Sequence, residues 1–316
     1  MEMEKLQSLL QRLQPPKGEV DVVLDTDTTN EIDDQFALAY LLASREKARL
    51  QAVYAAPFHN EKSSGPEDGM EKSYQEIMRL LELSRCLEYK ERVYKGSRRY
   101  LPDETTPVIS PAAEDLAARA MGYSSGAPLY VVAIGALTNV ASAILLRPEI
   151  VDRIVIVWLG GNAFEWPDNR EFNALQDVAA ARVVFNSGAA VVQLPCMGVV
   201  SSFRTTGPEL EYHLRGKNPL CDYLVSIVEQ AAAESGAGIC WSRPIWDVTA
   251  VAWVMGERFV RDRLEPSPIL QYDHHYSFDK CRHPIRYVYA IERDQLFEDL
   301  FKKLARFEGG EGPLCS

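Results

Sequence analysis

Residues 22–42 constrain the fold more than any other part of this sequence. Residues 22–24 are apolar and rich in valine, which is typical of a buried strand. A polar turn follows, and it holds five carboxylates: Asp25, Asp27, Glu31, Asp33 and Asp34. Residues 36–42 are strongly apolar and predict a helix. The turn therefore joins the carboxyl end of a strand to the start of a helix, at the edge where open α/β sheets bind ligands.

The crowding of these carboxylates indicates a bound cation. A helix dipole favours negative charge at its first turn by only about 0.3–1 kcal/mol per group, which does not offset the repulsion among several carboxylates. Ca²⁺ and Mg²⁺ take oxygen ligands and do offset it. The alternative is a solvated acidic turn in which one Asp caps the helix, since Asp is a common N-cap.

Strand and helix patterns alternate along the rest of the chain. Apolar runs predict strands at 20–25, 50–56, 129–134, 154–159 and 190–194. Helices are predicted at 34–45, 70–84, 112–121, 139–147, 179–187, 247–254 and 294–307, and residues 205–240 are largely helical. Residues 85–111 look irregular, and 268–293 predict a pair of less regular strands. This alternation predicts an α/β fold with an open, mainly parallel sheet and helices on both faces.

The length of 316 residues, of which 47% are hydrophobic, suits one large core. We expect an N-terminal helical extension at 1–18, closed by Pro15 and Pro16. A single domain at 19–307 and a disordered tail at 308–316 are predicted to follow.

The net charge and the spacing of the cysteines limit the partners and metal sites that we expect for this protein. Lys and Arg number 34 against 45 Asp and Glu, the net charge is −11, and no basic stripe is present. A nucleic-acid polymer is therefore not expected as a partner. The six cysteines form no CxxC pair, so a structural zinc site is not indicated, and reduced thiols suit an intracellular protein. No signal peptide or transmembrane run is found, so we expect a cytoplasmic protein without a membrane partner.

Residues 58–69 are polar and too long for an ordinary strand-to-helix connection. We interpret this segment as a flap over the site, with His59 and Asn60 as candidate substrate contacts. The alternative is a plain surface loop.

Three further polar groups occur at predicted strand ends or helix starts. They are Gly135 to Asn139, Glu171-Phe172-Asn173, and Trp246-Asp247. Taken singly, each has an ordinary structural explanation, which is a helix cap for the first and third groups and a loop for the second.

Taken in this order, the motifs resemble those of the inosine-uridine preferring nucleoside hydrolase family. The match comprises Asp25-Thr26-Asp27 closed by Asp33-Asp34, Gly135 to Asn139, Gly160-Gly161, Glu171-Phe172-Asn173 and Asp247, over roughly residues 20–307. The resemblance implies an open, mainly parallel sheet, a bound Ca²⁺, and hydrolysis of ribonucleosides to free base and ribose. It also suggests a homodimer or a homotetramer.

The resemblance further implies a role for each matched position. The metal ligands that it implies are Asp27, Asp34, Asp247 and the backbone carbonyl of Ile134. Asp27, together with the metal, is the catalytic residue that activates water. The ribose ligands are Asp33, Glu171, Asn173 and Asp247, with Phe172 inside the same motif and Asn162 or Asn169 as further candidates.

The reaction itself also calls for such groups. Cleavage of an N-glycosidic bond passes through an oxocarbenium-like sugar, so nearby carboxylates stabilise the developing positive charge. A metal ion lowers the pKa of bound water and orients it against the anomeric carbon.

Two departures from the family pattern bear on the substrate. Five residues, 28–32, separate Asp27 from Asp33 where the usual family turn has three, so Asn30 becomes a candidate sugar contact. Trp246 stands where several members have a histidine that protonates the leaving base, and it is a candidate to stack on the base or to line the pocket.

Two other functions remain open. The stretch from Asp25 to Thr29 also resembles the nucleophile motif of haloacid-dehalogenase-like phosphotransferases, although Asp247 supplies only one of the late acids that this family needs. The second is a nucleoside- or sugar-binding protein without turnover. Cys196 as a nucleophile and His274-His275 as a metal pair are weaker hypotheses, because no partner residue lies at a telling position.

Overall fold

Within residues 3–309, which a computed structural model of the protein describes, eight strands form one sheet. The helices are α1 Met3–Arg12, α2 Asp34–Leu42, α3 Pro66–Leu83, α4 Pro111–Ala120, α5 Thr138–Leu146, α6 Phe172–Gln176, α7 Val178–Asn186, α8 Gly207–His213, α9 Pro219–Glu234, α10 Val248–Met255 and α11 Arg293–Arg306. The strands are β1 Val20–Thr26, β2 Ala48–Ala55, β3 Val93–Lys95, β4 Leu129–Ala133, β5 Ile154–Leu159, β6 Ala190–Leu194, β7 Arg204–Thr205, β8 Arg243–Pro244, β9 Val260–Pro266, β10 Ile269–Leu270, β11 Tyr276–Ser277 and β12 Pro284–Ile291.

The strand order in the sheet is β3-β2-β1-β4-β5-β6-β12-β9, and every neighbouring pair is parallel except β12 with β9. The chain builds the sheet in one direction from β1 to β3 and in the other direction from β4 to β6. β1 and β4 are therefore neighbours at the point where the direction reverses. The strand ends at such a switch point border the crevice in which open α/β folds bind ligands. The predicted fold class is confirmed.

Both faces of the sheet are covered, because its strands are apolar at successive positions. Val22 and Leu24 of β1 enter one hydrophobic cluster, which also contains residues of α2, α10 and α11. Val23 enters a second cluster, which contains residues of α4, α5 and α7. Burial on both faces explains why the central strands are continuous apolar runs in the sequence.

Several predicted boundaries differ from the structure. α1 ends at Arg12, before the two prolines, and Leu9 in the helix and Leu13 just after it are buried in the core. α3 begins at Pro66, because proline suits the first turn of a helix, so residues 66–69 of the predicted flap are helical. Inside the segment predicted to be irregular, β3 pairs with β2.

The antiparallel edge of the sheet was absent from the prediction. β9 pairs with β12 although it carries the charged residues Arg261, Asp262, Arg263 and Glu265. Charged side chains are common on edge strands, where they discourage pairing with another chain. The predicted pair of strands at 268–293 corresponds to β12 and the short hairpin of β10 and β11.

Two further observations concern the ends of the chain and membranes. The predicted tail lies outside the described residues from residue 310 onward. In the part of the chain that the structure describes, no helix has the length and apolarity needed to span a bilayer.

Candidate active site

The carboxyl ends of β1 and β4 open into a cavity of about 260 Å³. It is lined by Asp27, Asn30, Glu31, Asp33, Asp34, Ile134, Leu159, Asn162, Arg170, Glu171, Phe172, Asn173, Cys196, Met197, Trp246 and Asp247. The structure thus brings together the predicted site residues of four separate motifs. Of the predicted substrate contacts, His59, Asn60 and Asn169 do not line the cavity.

Four aspartates form what we call the carboxylate floor of the cavity: Asp27, Asp33, Asp34 and Asp247. Each is at most 3% exposed. Ligand atoms of Asp33, Asp34 and Asp247 all lie within 4.8 Å of one another. No other cluster of three His, Cys, Asp or Glu side chains in residues 3–309 meets this distance, and His274 and His275 belong to no such cluster there.

The floor is not a solvated set of helix caps. Asp33 precedes α2 and Asp247 precedes α10, yet neither side chain makes a capping hydrogen bond to its own helix. Instead, the backbone N–H of Asp247 donates to Oδ2 of Asp33 at 3.2 Å. This bond joins the starts of two helices that are far apart in the sequence, so the carboxylates face each other.

Burial and mutual repulsion raise the pKa values of the floor. For Asp27, Asp33 and Asp247 the larger cause is burial, and neighbouring carboxylates add to it. Burial raises the pKa of Asp34 to about 6, against the opposing effect of a hydrogen bond from Thr26. Removal from water disfavours a carboxylate, and a nearby like charge disfavours it further.

A divalent cation fits this set of residues. Both carboxylate oxygens of Asp27 and Oδ1 of Asp33 are buried without a hydrogen-bond donor. Leaving such oxygens unpaired in the interior is costly, and a hard cation with oxygen ligands removes the cost. Ile134 lines the same cavity, and its carbonyl oxygen accepts one hydrogen bond, from Nδ2 of Asn173 at 3.2 Å, which leaves a second lone pair.

The lengthened turn after Asp27 is fastened to α3. The hydroxyl of Thr28 donates to the Ser73 carbonyl at 3.0 Å, and Nδ2 of Asn60 donates to Oδ1 of Asn30 at 2.7 Å. Thr29 has a φ of 97°, in a region that β-branched residues rarely adopt. The extra residues therefore hold a defined conformation, and Asn30 is fixed at the cavity wall.

The predicted flap lies against this turn. Lys62 donates from Nζ to the Asn30 carbonyl at 2.7 Å, and Asn60 supports the Asn30 side chain. His59 is exposed, and its backbone N–H donates to Gln176 at 2.7 Å. Asn60 thus acts on the cavity through Asn30, whereas the His59 imidazole lies outside the cavity wall.

Glu171 and Asn173 form the opposite wall. The Glu171 carboxylate caps α6, accepting the N–H groups of Asn173 at 2.9 Å and Ala174 at 3.0 Å, and it also accepts the Gly161 N–H at 2.7 Å. Nδ2 of Asn173 donates to the carbonyls of Ile134 and Leu159. The motif is therefore the start of a short helix, and its carboxylate ties the end of β5 to that helix.

The hairpin of β10 and β11 holds the loop between β5 and α6. The Asn169 N–H donates to the His274 carbonyl at 2.7 Å, and Nε2 of Gln193 donates to the Tyr276 hydroxyl at 2.8 Å. Gly161 has a φ of +73°, and a Cβ at this position would lie 2.1 Å from that hydroxyl. Only glycine fits both the backbone conformation and the close approach.

The Thr138 and Asn139 side chains support the site from behind. Nδ2 of Asn139 donates to Oδ1 of Asp25 at 2.8 Å, and the Thr138 hydroxyl donates to Asp177 at 2.7 Å. Asp25 is fully buried and does not line the cavity. A carboxylate in this position has no access to a substrate, which argues against the phosphotransferase alternative, in which Asp25 would be the nucleophile.

The sequence model described as "Inosine-uridine preferring nucleoside hydrolase" matches residues 22–292. The chain belongs to this nucleoside hydrolase family. The resemblance inferred from the motifs is confirmed, and so is the prediction of an enzyme of the N-glycosyl hydrolase class.

Curated relatives of this nucleoside hydrolase carry a consistent name. The chain is 26% identical over 247 residues to the pyrimidine-specific ribonucleoside hydrolase RihA of Klebsiella pneumoniae, covering 71% of this chain and 76% of the relative. It is 25% identical over 259 residues to the protein of the same name from Salmonella paratyphi A, covering 74% and 79%.

Solved structures share the fold of this nucleoside hydrolase. The plant nucleoside hydrolase PpNRh1 superposes with a TM-score of 0.74 at 19% identity, covering 91% of this chain and 99% of that one. A purine-preferring ribonucleoside hydrolase from Gardnerella vaginalis gives 0.70 at 20% identity, covering 90% and 98%. The effector protein XOO4466 gives 0.64 at 14% identity, covering 97% and 99%.

Trp246 directly precedes Asp247 in the cavity wall. Its side chain lines the wall next to Asp247, and its Nε1 is buried without a hydrogen-bond acceptor. Indole nitrogen is a donor only, so this nucleoside hydrolase presents an N–H, and no acid, at this position.

Sequence reasoning gave no substrate or metal role to five residues that line the cavity: Glu31, Leu159, Arg170, Cys196 and Met197. Arg170 directly precedes Glu171, and this adjacency was the available signal. Cys196 has its Sγ 3.7 Å from Oε1 of Glu171, and burial, aided by that carboxylate, raises the pKa of its thiol. A thiol of this kind is not an activated nucleophile in this nucleoside hydrolase.

A larger groove of about 550 Å³ lies elsewhere, between α1 and the amino-terminal ends of β1 and β4. Two of its arginines are already paired, since Arg12 contacts Asp152 and Arg49 contacts Asp21. The smaller cavity, with its unpaired carboxylates, is the candidate active site of the nucleoside hydrolase.

Proposed function

We propose that the protein hydrolyses the N-glycosidic bond of ribonucleosides to free base and ribose, with a bound Ca²⁺. The observation that carries the proposal is the carboxylate floor, with its unpartnered oxygens, at the switch point of the sheet. The names of the Klebsiella and Salmonella relatives, both ribonucleoside hydrolases, support it.

The proposed metal ligands are the carboxylates of Asp27, Asp34 and Asp247 and the carbonyl of Ile134. A bound divalent cation supplies Lewis-acid chemistry, which lowers the pKa of a water molecule toward neutrality. Asp33 has a ligand atom within 4.8 Å of those of Asp34 and Asp247, and we assign it to a ribose hydroxyl beside the metal. Oxygen-only ligands favour Ca²⁺ or Mg²⁺ over softer metals.

Asp27 is the proposed general base. Both of its carboxylate oxygens lack a hydrogen-bond donor, so one is free to accept a proton from the attacking water. The water oxygen forms a bond to the anomeric carbon as the carbon–nitrogen bond breaks. The bonding electrons leave with the base, and the proton passes to Asp27.

The remaining wall residues hold the sugar in this proposal. Asp33, Glu171, Asn173 and Asp247 face its hydroxyls, and Asn30 approaches from the lengthened turn. Because Glu171 already accepts three backbone N–H groups, its carboxylate is rigid, and a fixed negative charge stabilises the oxocarbenium-like transition state. Phe172 and Trp246 supply apolar wall for the ring and the base.

The test is a panel of ribonucleosides incubated with the purified protein, with and without chelator, while reducing sugar is measured. We expect sugar release that chelator abolishes and Ca²⁺ restores. Release of phosphate from phosphate esters without sugar release would favour the phosphotransferase, and nucleoside binding by calorimetry without product would favour a sensor. Asp34→Ala is the inactive variant, and Asp294→Ala, at a side chain that is 93% exposed, is its matched control.

The oligomer and the location of the protein stay predictions. A homodimer or homotetramer in the cytoplasm is expected, and size-exclusion chromatography with light scattering measures the first of these.

A further inference from the structure

Four donors already occupy the Glu171 carboxylate. Its Oε2 accepts the N–H groups of Gly161 at 2.7 Å and Ala174 at 3.0 Å, and its Oε1 accepts the N–H of Asn173 at 2.9 Å. The fourth donor is the thiol of Cys196, whose Sγ lies 3.7 Å from Oε1. A carboxylate offers about four lone pairs, so these four donors account for all of them. A sugar hydroxyl that donates to Glu171 must therefore displace one of the four.

The thiol is the donor that can be displaced. The N–H groups of Asn173 and Ala174 belong to the first turn of α6, and the Glu171 side chain caps that turn. Their bonds to the carboxylate last as long as the helix start does. A thiol is a weak donor, and its contact with Oε1 is the longest of the four.

The Cys196 side chain can turn while its backbone stays in place. Its N–H donates to the Gly161 carbonyl at 2.7 Å, and its carbonyl accepts the Ser201 N–H at 2.8 Å. Rotation about the bond between Cα and Cβ moves the sulfur alone. Release of Oε1 therefore needs no change in the loop after β6.

The surroundings of Cys196 keep the thiol protonated, so that it remains a donor. Burial raises its pKa well above the usual range, and the charges of Glu171, Asp247 and Asp33 add to this. Removal from water and nearby negative charge both disfavour a thiolate. The contact with Oε1 is therefore a hydrogen bond from a neutral group to a carboxylate.

A second observation in the same cavity points to a ligand with hydroxyl groups. Asp33 lines the cavity together with Cys196 and Glu171 and is only 2% exposed. Its Oδ1 has no hydrogen-bond donor among residues 3–309. Buried oxygens without a donor are costly, and the hydroxyls of a sugar supply donors to several such oxygens at once.

We propose that the Cys196 thiol holds the acceptor position on Oε1 of Glu171 that a ribose hydroxyl takes on binding. The inference rests on the proposed function, because that function places the ribose in this cavity. When the hydroxyl donates to Oε1, the thiol turns away and loses its hydrogen bond. The lost bond lowers the net affinity for the sugar, so Cys196 is a positioning residue that acts through Glu171.

The experiment compares wild type with Cys196→Ala, both as the full chain saturated with Ca²⁺ and with uridine as substrate. Cys196→Ala frees the lone pair, so KM should fall by about 3–10-fold, the range expected for one net hydrogen bond. kcat should change much less than KM, because a bond made equally in the ground state and the transition state acts on binding. An unchanged or higher KM overturns the inference.

Cys221→Ala is the matched control. Cys221 is also a buried thiol, but its Sγ donates to the Leu304 carbonyl at 3.4 Å and it does not line the cavity. This variant removes the same atom from the core and should leave KM unchanged. A fall in KM of the same size in both variants would show a general effect of losing a buried thiol and would overturn the inference.

Deoxynucleosides separate the proposed exchange from a change in packing. The gain in Cys196→Ala belongs to one hydroxyl, so it should vanish for at least one of 2′-deoxyuridine, 3′-deoxyuridine and 5′-deoxyuridine. The readout is KM, or the inhibition constant against uridine where turnover is slow. The same gain for uridine and for all three deoxyuridines overturns the inference, while cleavage of uridine leaves the proposed function standing.

A measurement on the wild-type protein decides the inference if Cys196→Ala does not fold. Saturation with ribose should shift one S–H stretching band in the infrared difference spectrum toward that of a free thiol, and Cys221→Ala should show the same shift. No shift overturns the inference. If no nucleoside is cleaved, the proposed function fails, and calorimetric affinities for ribose decide the inference separately: equal affinities in wild type and Cys196→Ala overturn it.

Discussion

Thr26 donates a hydrogen bond from Oγ1 to Oδ1 of Asp34 at 2.5 Å, so the last residue of β1 orients the first residue of α2. Both residues are buried. The carboxylate has two oxygens, and this bond engages one of them, which leaves the other to face the cavity. Hydrogen bonds of this kind fix the orientation of metal-binding carboxylates.

Thr26→Val should weaken Ca²⁺ binding without changing the shape of the side chain. Loss of an outer hydrogen bond to a ligand typically reduces metal affinity by about 10–100-fold. Calorimetric titration of the metal-free protein with Ca²⁺ measures this. Thr138→Val is the control, because its hydroxyl also donates to a buried carboxylate, that of Asp177, which is not in the floor. Equal Ca²⁺ affinities in wild type and Thr26→Val would contradict the role given to this bond.

Saturating Ca²⁺ should stabilise the wild-type protein and not Asp34→Ala. A ligand at 100 times its Kd raises the free energy of unfolding by about 2.7 kcal/mol if it binds only the folded state. Urea unfolding with Ca²⁺ and with chelator measures the increment, provided that unfolding is reversible. An increment of the same size in Asp34→Ala would place the ion elsewhere.

Asn173→Ala should keep the fold and the metal but lower turnover. Removal of one hydrogen bond that acts in the transition state costs roughly 2.7–4 kcal/mol, or 10²–10³-fold in kcat. Steady-state kinetics at saturating Ca²⁺ measures the loss. Glu171→Ala should lower turnover too and, because this carboxylate caps α6, it should also cost about 1 kcal/mol of folding free energy. Normal turnover in both variants would remove the motif from the active site.

Substrates whose leaving group departs without a proton should be preferred. A general acid at the base typically supplies about 10²–10⁴-fold, and no histidine of residues 3–309 lines the cavity. We expect nitrophenyl riboside to be cleaved with a higher kcat/KM than inosine or uridine. His59→Ala should change both rates in the same proportion, since the imidazole lies outside the cavity wall. A selective loss of inosine cleavage in that variant would show that the segment moves to bring His59 over the base.

His283 should make the fold less stable in mild acid. Burial lowers its pKa from 6.5 to about 4, and its Nε2 is buried without a partner. The unfolded chain therefore binds more protons between about pH 6.5 and pH 4, so the stability falls as the pH drops through this window. Urea unfolding at pH 7 and pH 5 should show a smaller loss in His283→Gln than in wild type. His275→Gln, at an exposed site, should lose as much as wild type.

The parts of this molecule that were predictable are those encoded in short stretches. Valine-rich strands buried on both faces are visible as runs, and a strand that ends in carboxylates places them at the ligand edge. β9 escaped prediction because an edge strand needs no apolar run, and its charges gave no periodic signal. β3 has only three residues, and its pairing with β2 decides its structure.

Within the site, residue identity was predictable where the family motif carried it, but the contacts were not. Asn139 donates a hydrogen bond to Asp25, and the Glu171 carboxylate accepts hydrogen bonds from three backbone N–H groups. These contacts depend on loops that approach from distant parts of the chain. The three aspartates whose ligand atoms lie within 4.8 Å of one another include Asp33, whereas the family motif gave Asp27 as a metal ligand. Such choices among neighbouring carboxylates follow from packing, which no local pattern specifies.

The contact of Tyr276 with Gly161 and Gln193 also sets an order of events during folding. The loop that carries Asn162 and Arg170 is synthesised long before the hairpin that holds it, and most of the sheet is already specified by residues ahead of that hairpin. A nascent or refolding chain can therefore become compact, with the central strands paired, while this wall of the cavity is still loose. Catalytic competence should return later than secondary structure in a refolding experiment, with a lag set by the docking of residues 269–277.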